Sequence, residues 1–343
     1  MSSVSTAVTH GPPGSTEGVD AIMRRGGEGL RERMLATELY LERVAVQSGA
    51  AHANDTIIAG GKRLRPLLVV LAAESAGGPP GTPEGEERLI RAAVAVELVH
   101  SATLVHDDLI DGAQLRRGHP TVAAAAGREA AIVTGDLLFS RAFAELARNG
   151  DPAQLRALSD ASSALAAGEL LQREDAFACD VAMARYLRRC ELKTAALFEA
   201  ACRLGALTAV RGSATLADAL GRFARRIGLA FQMLDDVLDV SGPVERTGKS
   251  RGTDLLDGTV TLPFILARQR EPELAGLDLS ALDGPSQAEE LCERIAATGA
   301  LDIARQQALA VVAKAKAALP AILPDGRSGL LDLVADAVVE RYR

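Results

Sequence analysis

The sequence predicts an all-α protein folded as a single domain. Ala, Leu, Val and Arg dominate a chain that is 48% hydrophobic and only 3% aromatic, with no Trp. Ala, Leu and Arg are strong helix formers, and β-branched runs are short. Apolar residues recur at helical rather than alternating spacing, and no linker-like segment divides the chain. No repeat with a period of about 20–50 residues is present.

Residues 1–19, "MSSVSTAVTHGPPGSTEGV", are small, polar and Gly/Pro-bearing, the composition of a disordered tail, so the folded domain is expected over 20–343. A helical pattern starts near Asp20 and runs through "LRERMLATELYLERVAVQS". "GGPPGTPEGEE" (77–87) is a loop by its Gly and Pro content. "RLIRAAVAVELVHSATLVHDDLID" reads as one long helix, apolar on most faces and therefore internal. Further helices are expected at about 128–148, 152–176, 180–209, 213–240, 258–270, 287–317 and 328–342, separated by turns rich in Gly, Pro, Asp or Ser.

The net charge of −7 argues against general attraction to nucleic acid or to an anionic membrane, while leaving room for a local basic pocket. No stretch of about 18 uncharged apolar residues suggests a spanning helix. The N-terminus lacks the basic and apolar regions of a signal peptide. Cys179, Cys190, Cys202 and Cys292 have neither CxxC nor metal-type spacing, so free thiols in a reducing compartment are expected. The location expected on these grounds is the cytoplasm.

"DDLID" at 107–111 recurs as "DDVLD" at 235–239. Residues four apart on a helix lie about 40° apart around the axis and about 6 Å along it. Asp107 and Asp111 therefore share a face with Asp108 beside them, and Asp235, Asp236 and Asp239 repeat the arrangement. Like charges at that spacing repel, so something must offset the cost. Carboxylate oxygens suit hard divalent cations, and Mg²⁺ is commonly held by one or two carboxylates together with substrate phosphates. Both clusters follow apolar helical sequence ("ATLVHDD", "AFQMLDD"), where an isolated charge would be costly.

Cations accompany the acids: Lys62, Arg63 and Arg65 in "GGKRLRP", Arg116 and Arg117 in "LRRGHPT", Lys193 in "ELKTA" and Lys249 in "RTGKSRGTDL". Arg offers a planar fork to phosphate oxygens and Lys a point charge, so the mixture suits a diphosphate. "GPVERTGKS" is not a nucleotide P-loop, because five residues separate Gly242 from Gly248 where four are needed, and it follows a helix. His100 and His106 are six apart on a helix, poor spacing for a shared metal and better read as hydrogen-bonding groups.

With these motifs in place the chain resembles the trans-isoprenyl diphosphate synthases of the polyprenyl synthetase family. "GGKRLRP", "VHSATLVHDDLID…LRRGHPT", "TGDLLF", "GELLQ", "LKTA", "FQMLDDVLDVSG", "TGKSRGTDL" and "TLP" occur in the family's order and spacing, closely over about residues 50–270. The resemblance implies an isoprenoid-synthase-type helical bundle around a central cavity, a homodimer, and three Mg²⁺ ions between the aspartate clusters. It implies Asp107, Asp111 and Asp235 as direct ligands, supported by Asp108, Asp236 and Asp239. Arg116 matches a contact to the allylic diphosphate, and Lys193, Thr194, Gln232 and Lys249 match further contacts to it. Lys62, Arg65, His100 and Arg117 match the pocket for isopentenyl diphosphate. One departure stands out: where the family commonly has "GKxTLP", this chain has "GTVTLP", with Thr259 in place of the lysine.

The implied reaction extends an allylic diphosphate by five carbons. Upstream of Asp107, Ala102, Thr103 and Val99 are small or modest, and family members that stop at fifteen carbons place an aromatic there. From Asp107 back to Glu87 the helix runs about 30 Å, room for about six isoprene units. A product of thirty to fifty carbons is expected, with geranylgeranyl or geranylfarnesyl diphosphate as alternatives. A class I terpene cyclase and a non-catalytic subunit of a heteromeric synthase are the remaining rival readings.

Overall fold

The computed structural model describes residues 17–47, 63–116, 118–242 and 251–340. Helix α1 (Glu17–Arg25) begins three residues before the expected start of the domain, and α2 (Gly27–Gln47) follows it after a break. A single run was expected here. The chain turns at Gly26 and Gly27, and Gly27 adopts φ +74°, which a side chain would resist. The rest of the expected tail lies outside the described residues.

Helices α3 (Leu64–Ser75) and α4 (Pro83–Ile110) form the inner wall. α4 starts on a Thr82 cap, whose Oγ1 accepts from the Gly85 N–H at 3.1 Å, with Pro83 at its first position. By length and composition α4 could cross a membrane, but 72% of its apolar window is buried inside the protein, as a core helix requires. No strand was expected, yet β1 (Leu115–Arg116) and β2 (His119–Pro120) pair antiparallel just after α4, with Arg116 opposite His119. Two residues per strand are too few for alternation to register.

The chain continues through α5 (Val122–Ala126), α6 (Arg128–Ala147), α7 (Pro152–Glu174) and α8 (Met183–Cys190). A π-helical turn, Glu191–Ala195, links α8 to α9 (Ala196–Thr208), and α10 (Ala214–Ser241) is the second long inner helix. After α11 (Thr253–Leu256), α12 (Leu262–Arg270) starts later than 258, preceded by non-helical Thr259–Thr261. Two 3₁₀ turns follow, Pro272–Gly276 and Leu279–Ala281. The expected helix at 287–317 is two, α13 (Pro285–Ala297) and α14 (Ala300–Ile322), parted at Gly299 with φ +76°. α15 (Gly329–Glu340) closes the described fold.

The core lies where α3, α4, α9 and α10 meet, with α6 outside α4 and α14 outside α10. Val69–Ala73, Ala92–Val96 and Phe198, Phe223 and Phe264 are fully enclosed there. All four cysteines are free and buried, as expected from their spacing.

Candidate active site

Both aspartate clusters occupy helix C-termini. Asp107 and Asp108 lie in the last turn of α4, Asp111 caps that helix, and Asp235, Asp236 and Asp239 lie in the final two turns of α10. A helix C-terminus already carries partial negative charge, which favours Lys or Arg. Neither last turn holds a basic residue. The fold thus stacks acid on two negative ends, an arrangement that suits a bound cation.

In the first cluster, guanidinium groups answer the carboxylates. Asp108 is buried, and Arg116 on β1 donates Nε to both its oxygens at 2.8 Å and places Nη2 2.7 Å from Oδ1. Exposed Asp111 pairs with Arg173 at the end of α7, and Arg173 Nε also reaches Glu169 Oε1 at 3.0 Å. Lys193 pairs with Glu169 and donates to Gln172 Oε1 at 3.2 Å. Burial pushes the Asp107 carboxyl up to about 6, Lys193 and Arg116 pull it down, and Glu169 and Asp111 push it further up. Burial raises Glu169 too, but Lys193 and Arg173 outweigh that and leave it below its ordinary value.

Neutral side chains hold the buried middle acid of the second cluster, Asp236. Tyr186 on α8 donates its hydroxyl to Asp236 Oδ2 at 2.6 Å, and Gln232 Nε2 donates to Oδ1 at 2.8 Å. Gln232 in turn accepts from Thr194 Oγ1 at 2.6 Å. Asp239 Oδ2 accepts from the Asp254 N–H at 3.4 Å. Burial lifts the Asp236 carboxyl to about 6 against the hydrogen bonds from Tyr186 and Gln232. Burial and the Asp236 charge hold the Tyr186 hydroxyl well above its ordinary value, so it stays a donor.

The π-helical turn carries both halves. Lys193 serves the first cluster's surroundings and the next residue, Thr194, serves the second. Two glycines let neighbouring helices approach it. A Cβ on Gly168 of α7 would stand 2.7 Å from the Lys193 backbone nitrogen, and one on Gly228 of α10 would stand 2.8 Å from the Ala195 Cα. A π-turn inserts one residue into the helical register and is frequent at functional sites.

The remaining expected positions are placed as follows. Arg65 sits in the first turn of α3 with its guanidinium 5.2 Å from the Phe198 ring centre. His100 is half-buried on α4, its carbonyl accepting from Thr103 Oγ1 at 2.8 Å. Val99 and Ala102 are fully buried and Thr103 half-buried on the same helix. His106 Nε2 lies 3.4 Å from the Ile132 carbonyl and 3.6 Å from the Asp136 carboxylate. Lys62, Arg117 and Lys249 lie outside the described residues. Among the described residues, no three His, Cys, Asp or Glu side chains are gathered tightly enough to enclose a metal alone.

Sequence reasoning assigned no role to Glu169, Gln172, Arg173 or Tyr186. The first three were within reach, since positions i, i+3 and i+4 of "GELLQRE" share a helix face. Tyr186 lies seven residues before Lys193, two turns on an ordinary helix, a weaker cue.

The chain matches the Polyprenyl synthetase family over residues 48–297. It is 41% identical over 249 residues to the Heptaprenyl diphosphate synthase component 2 of Geobacillus stearothermophilus, covering 71% of this chain and 74% of that one. It is 35% identical over 300 residues to the Geranylfarnesyl diphosphate synthase of Natronomonas pharaonis, covering 82% and 87%. The crystal structure of polyprenyl synthase from Caulobacter crescentus CB15 complexed with calcium and isoprenyl diphosphate matches with a TM-score of 0.85, at 35% identity over 95% of this chain and 98% of that one. An all-helical fold with two acidic helix ends joined by a cationic turn thus defines a chain-elongating prenyltransferase. The chain belongs to the polyprenyl synthetase family.

Proposed function

We propose that this chain is a Mg²⁺-dependent trans-polyprenyl diphosphate synthase that joins isopentenyl diphosphate to an allylic diphosphate and releases a product of thirty to fifty carbons. The supporting observation is the π-helical turn, which ties Lys193 to the Asp107 side and Thr194, through Gln232, to the Asp236 side.

The donor set fits the metal. The six aspartates offer hard oxygen ligands, with Asp108 held by Arg116, Asp111 by Arg173 and Asp236 by Tyr186 and Gln232. An open acidic site of this kind suits an ion that also takes phosphate oxygens. Bound Mg²⁺ would supply positive charge to the departing diphosphate.

The chain's own residues account for the rest. Arg116, Lys193 and Lys249 hold the allylic diphosphate, so negative charge arriving on it as the C–O bond breaks is already countered. Lys62, Arg65, His100 and Arg117 hold isopentenyl diphosphate beside it. Its double bond attacks the allylic carbon, a C–C bond forms, and loss of a proton restores a double bond. Thr259 contributes a hydroxyl where many relatives have an ammonium, so the allylic end relies more on Lys193 and Lys249. Val99, Ala102 and Thr103 flank the growing tail.

We place this activity in one catalytic unit over residues 20–343, working as a homodimer in the cytoplasm. Buried free cysteines suit a reducing compartment. The purified chain, incubated with Mg²⁺, isopentenyl diphosphate and farnesyl or geranylgeranyl diphosphate, should yield polyprenyl alcohols of thirty to fifty carbons after dephosphorylation, read by mass spectrometry. Activity without added divalent metal, or no consumption of isopentenyl diphosphate, would refute the proposal. The word "component" in the Geobacillus relative's name favours a second reading, a chain inactive alone that acquires activity with a partner chain.

A further inference from the structure

Arg63 is one of two non-glycine residues with positive φ among the described residues, at φ +46° and ψ +38°. L-residues with a Cβ are disfavoured there, so surrounding contacts must hold the backbone in place. The guanidinium supplies them. Nε and Nη2 donate to Glu38 of α2 at 2.8 and 2.6 Å, and Nη1 donates to Glu97 of α4 at 2.9 Å. The Arg63 side chain is 10% exposed and that of Glu97 is 6% exposed. Glu97 stands in the otherwise apolar, buried stretch Val94–Val99 of the core, where a carboxylate without a partner would be costly. One side chain therefore stabilises a disfavoured backbone and a buried acid together.

The clamp is placed between the two described members of the isopentenyl diphosphate pocket. The Arg63 carbonyl accepts the Leu67 N–H at 2.9 Å, so this residue fixes where α3 begins. Two residues on, Arg65 lies over Phe198. At the other end, Glu97 is one turn before His100 on α4.

We propose that Arg63 is a positioning residue for the isopentenyl substrate, locking the start of α3 to α4 so that Arg65 and His100 are held at a fixed separation. This rests on the proposed role of Arg65 and His100 and adds a residue that touches no substrate.

Steady-state kinetics with each substrate varied in turn test it. Arg63→Gly frees the backbone from strain but removes the fork, and should raise KM for isopentenyl diphosphate about tenfold or more. KM for the allylic substrate should stay within about twofold, and Arg63→Lys should recover only part of the loss. Should Arg63→Gly fail to fold, Arg63→Met combined with Glu97→Leu removes the clamp without leaving a buried charge, and the same selective KM defect is expected. Wild-type KM for isopentenyl diphosphate in either folded variant overturns the proposal, as does an equal loss for both substrates or in kcat alone. Arg65→Met separates the two ideas. A raised KM there with no defect in the Arg63 variants sinks the clamp alone, whereas no effect of Arg65→Met sinks the pocket reading and the clamp with it.

Discussion

Around Asp107, Asp108 and Asp111 the fold supplies Arg116, Arg173 and Lys193, whereas buried Asp236 is hydrogen-bonded by a tyrosine hydroxyl and a glutamine amide with the Arg189 charge nearby, and Asp239 accepts a backbone N–H. The first cluster reaches the cap of its helix and leaves Asp111 exposed, the second stops short of the cap, and each buries one aspartate, Asp108 and Asp236. The same five-residue pattern thus meets ion pairs at Asp108 and Asp111 and neutral hydrogen bonds at Asp236. Charged partners reach farther but weaken with salt and exchange readily with a charged ligand. Neutral donors in a dry setting fix one geometry beforehand. The contrast points to a first cluster that re-pairs when diphosphate arrives and a second that is set in advance.

The harshest probe of that contrast is removal of one carboxylate from each side. Asp107→Asn and Asp235→Asn should each lower kcat by about 1000-fold, since the proposed mechanism assigns each carboxylate to the metal that would counter the departing diphosphate. Initial rates with saturating substrates check this, and a mild effect on one side would leave a single working cluster. Next comes Tyr186→Phe, which strips one donor from Asp236 and should cost about 10–100-fold in activity or metal affinity. That loss should be the same at low and high salt. A loss that varied with salt would place the second cluster with the first.

The helices differ upstream as well. Four residues before Asp107 stands Thr103, and four before Asp235 stands Phe231, whose ring centre is 5.6 Å from that of Phe198. Thr103→Phe should shorten the product by one or more isoprene units, read by mass spectrometry, while Phe231→Leu should leave its length unchanged. Ala102→Phe should shorten it too, at a stability cost of about 1–3 kcal/mol because Ala102 is fully buried. The smallest effect belongs to Arg173→Gln. Its pairs with Asp111 and Glu169 are partly exposed, so thermal stability should change by less than about 1 kcal/mol. The activity of this variant should depend less on salt than that of the unaltered enzyme.

Most of the helices were legible because their apolar spacing is regular and their caps are conventional, as at Asp151 and Ser213, whereas the Thr82 cap was missed because the Gly and Pro of 77–87 read as loop although the helix begins at Pro83. The breaks at Gly26–Gly27 and Gly299 carried the right residue, but isolated glycines also occur inside helices, so spacing alone ran through them. The π-turn left no mark, because "ELKTA" is made of ordinary helix formers and its extra residue is imposed by packing against Gly168 and Gly228. The aspartates and most described cationic positions were readable from charge in apolar company. Their partners were not: what Tyr186, Glu169 and Arg173 touch depends on helices brought together only in three dimensions.

The inserted residue at Glu191–Ala195 also makes this stretch intolerant of length change in a way its neighbours are not. Dropping one amino acid there would let the backbone relax into a plain α-helix and turn everything on one side of it by about 100° relative to the other. The ammonium that now meets Glu169 and the hydroxyl that meets Gln232 would lose that split view. An evolving lineage can therefore vary the sequence of this rod far more freely than it can vary its residue count.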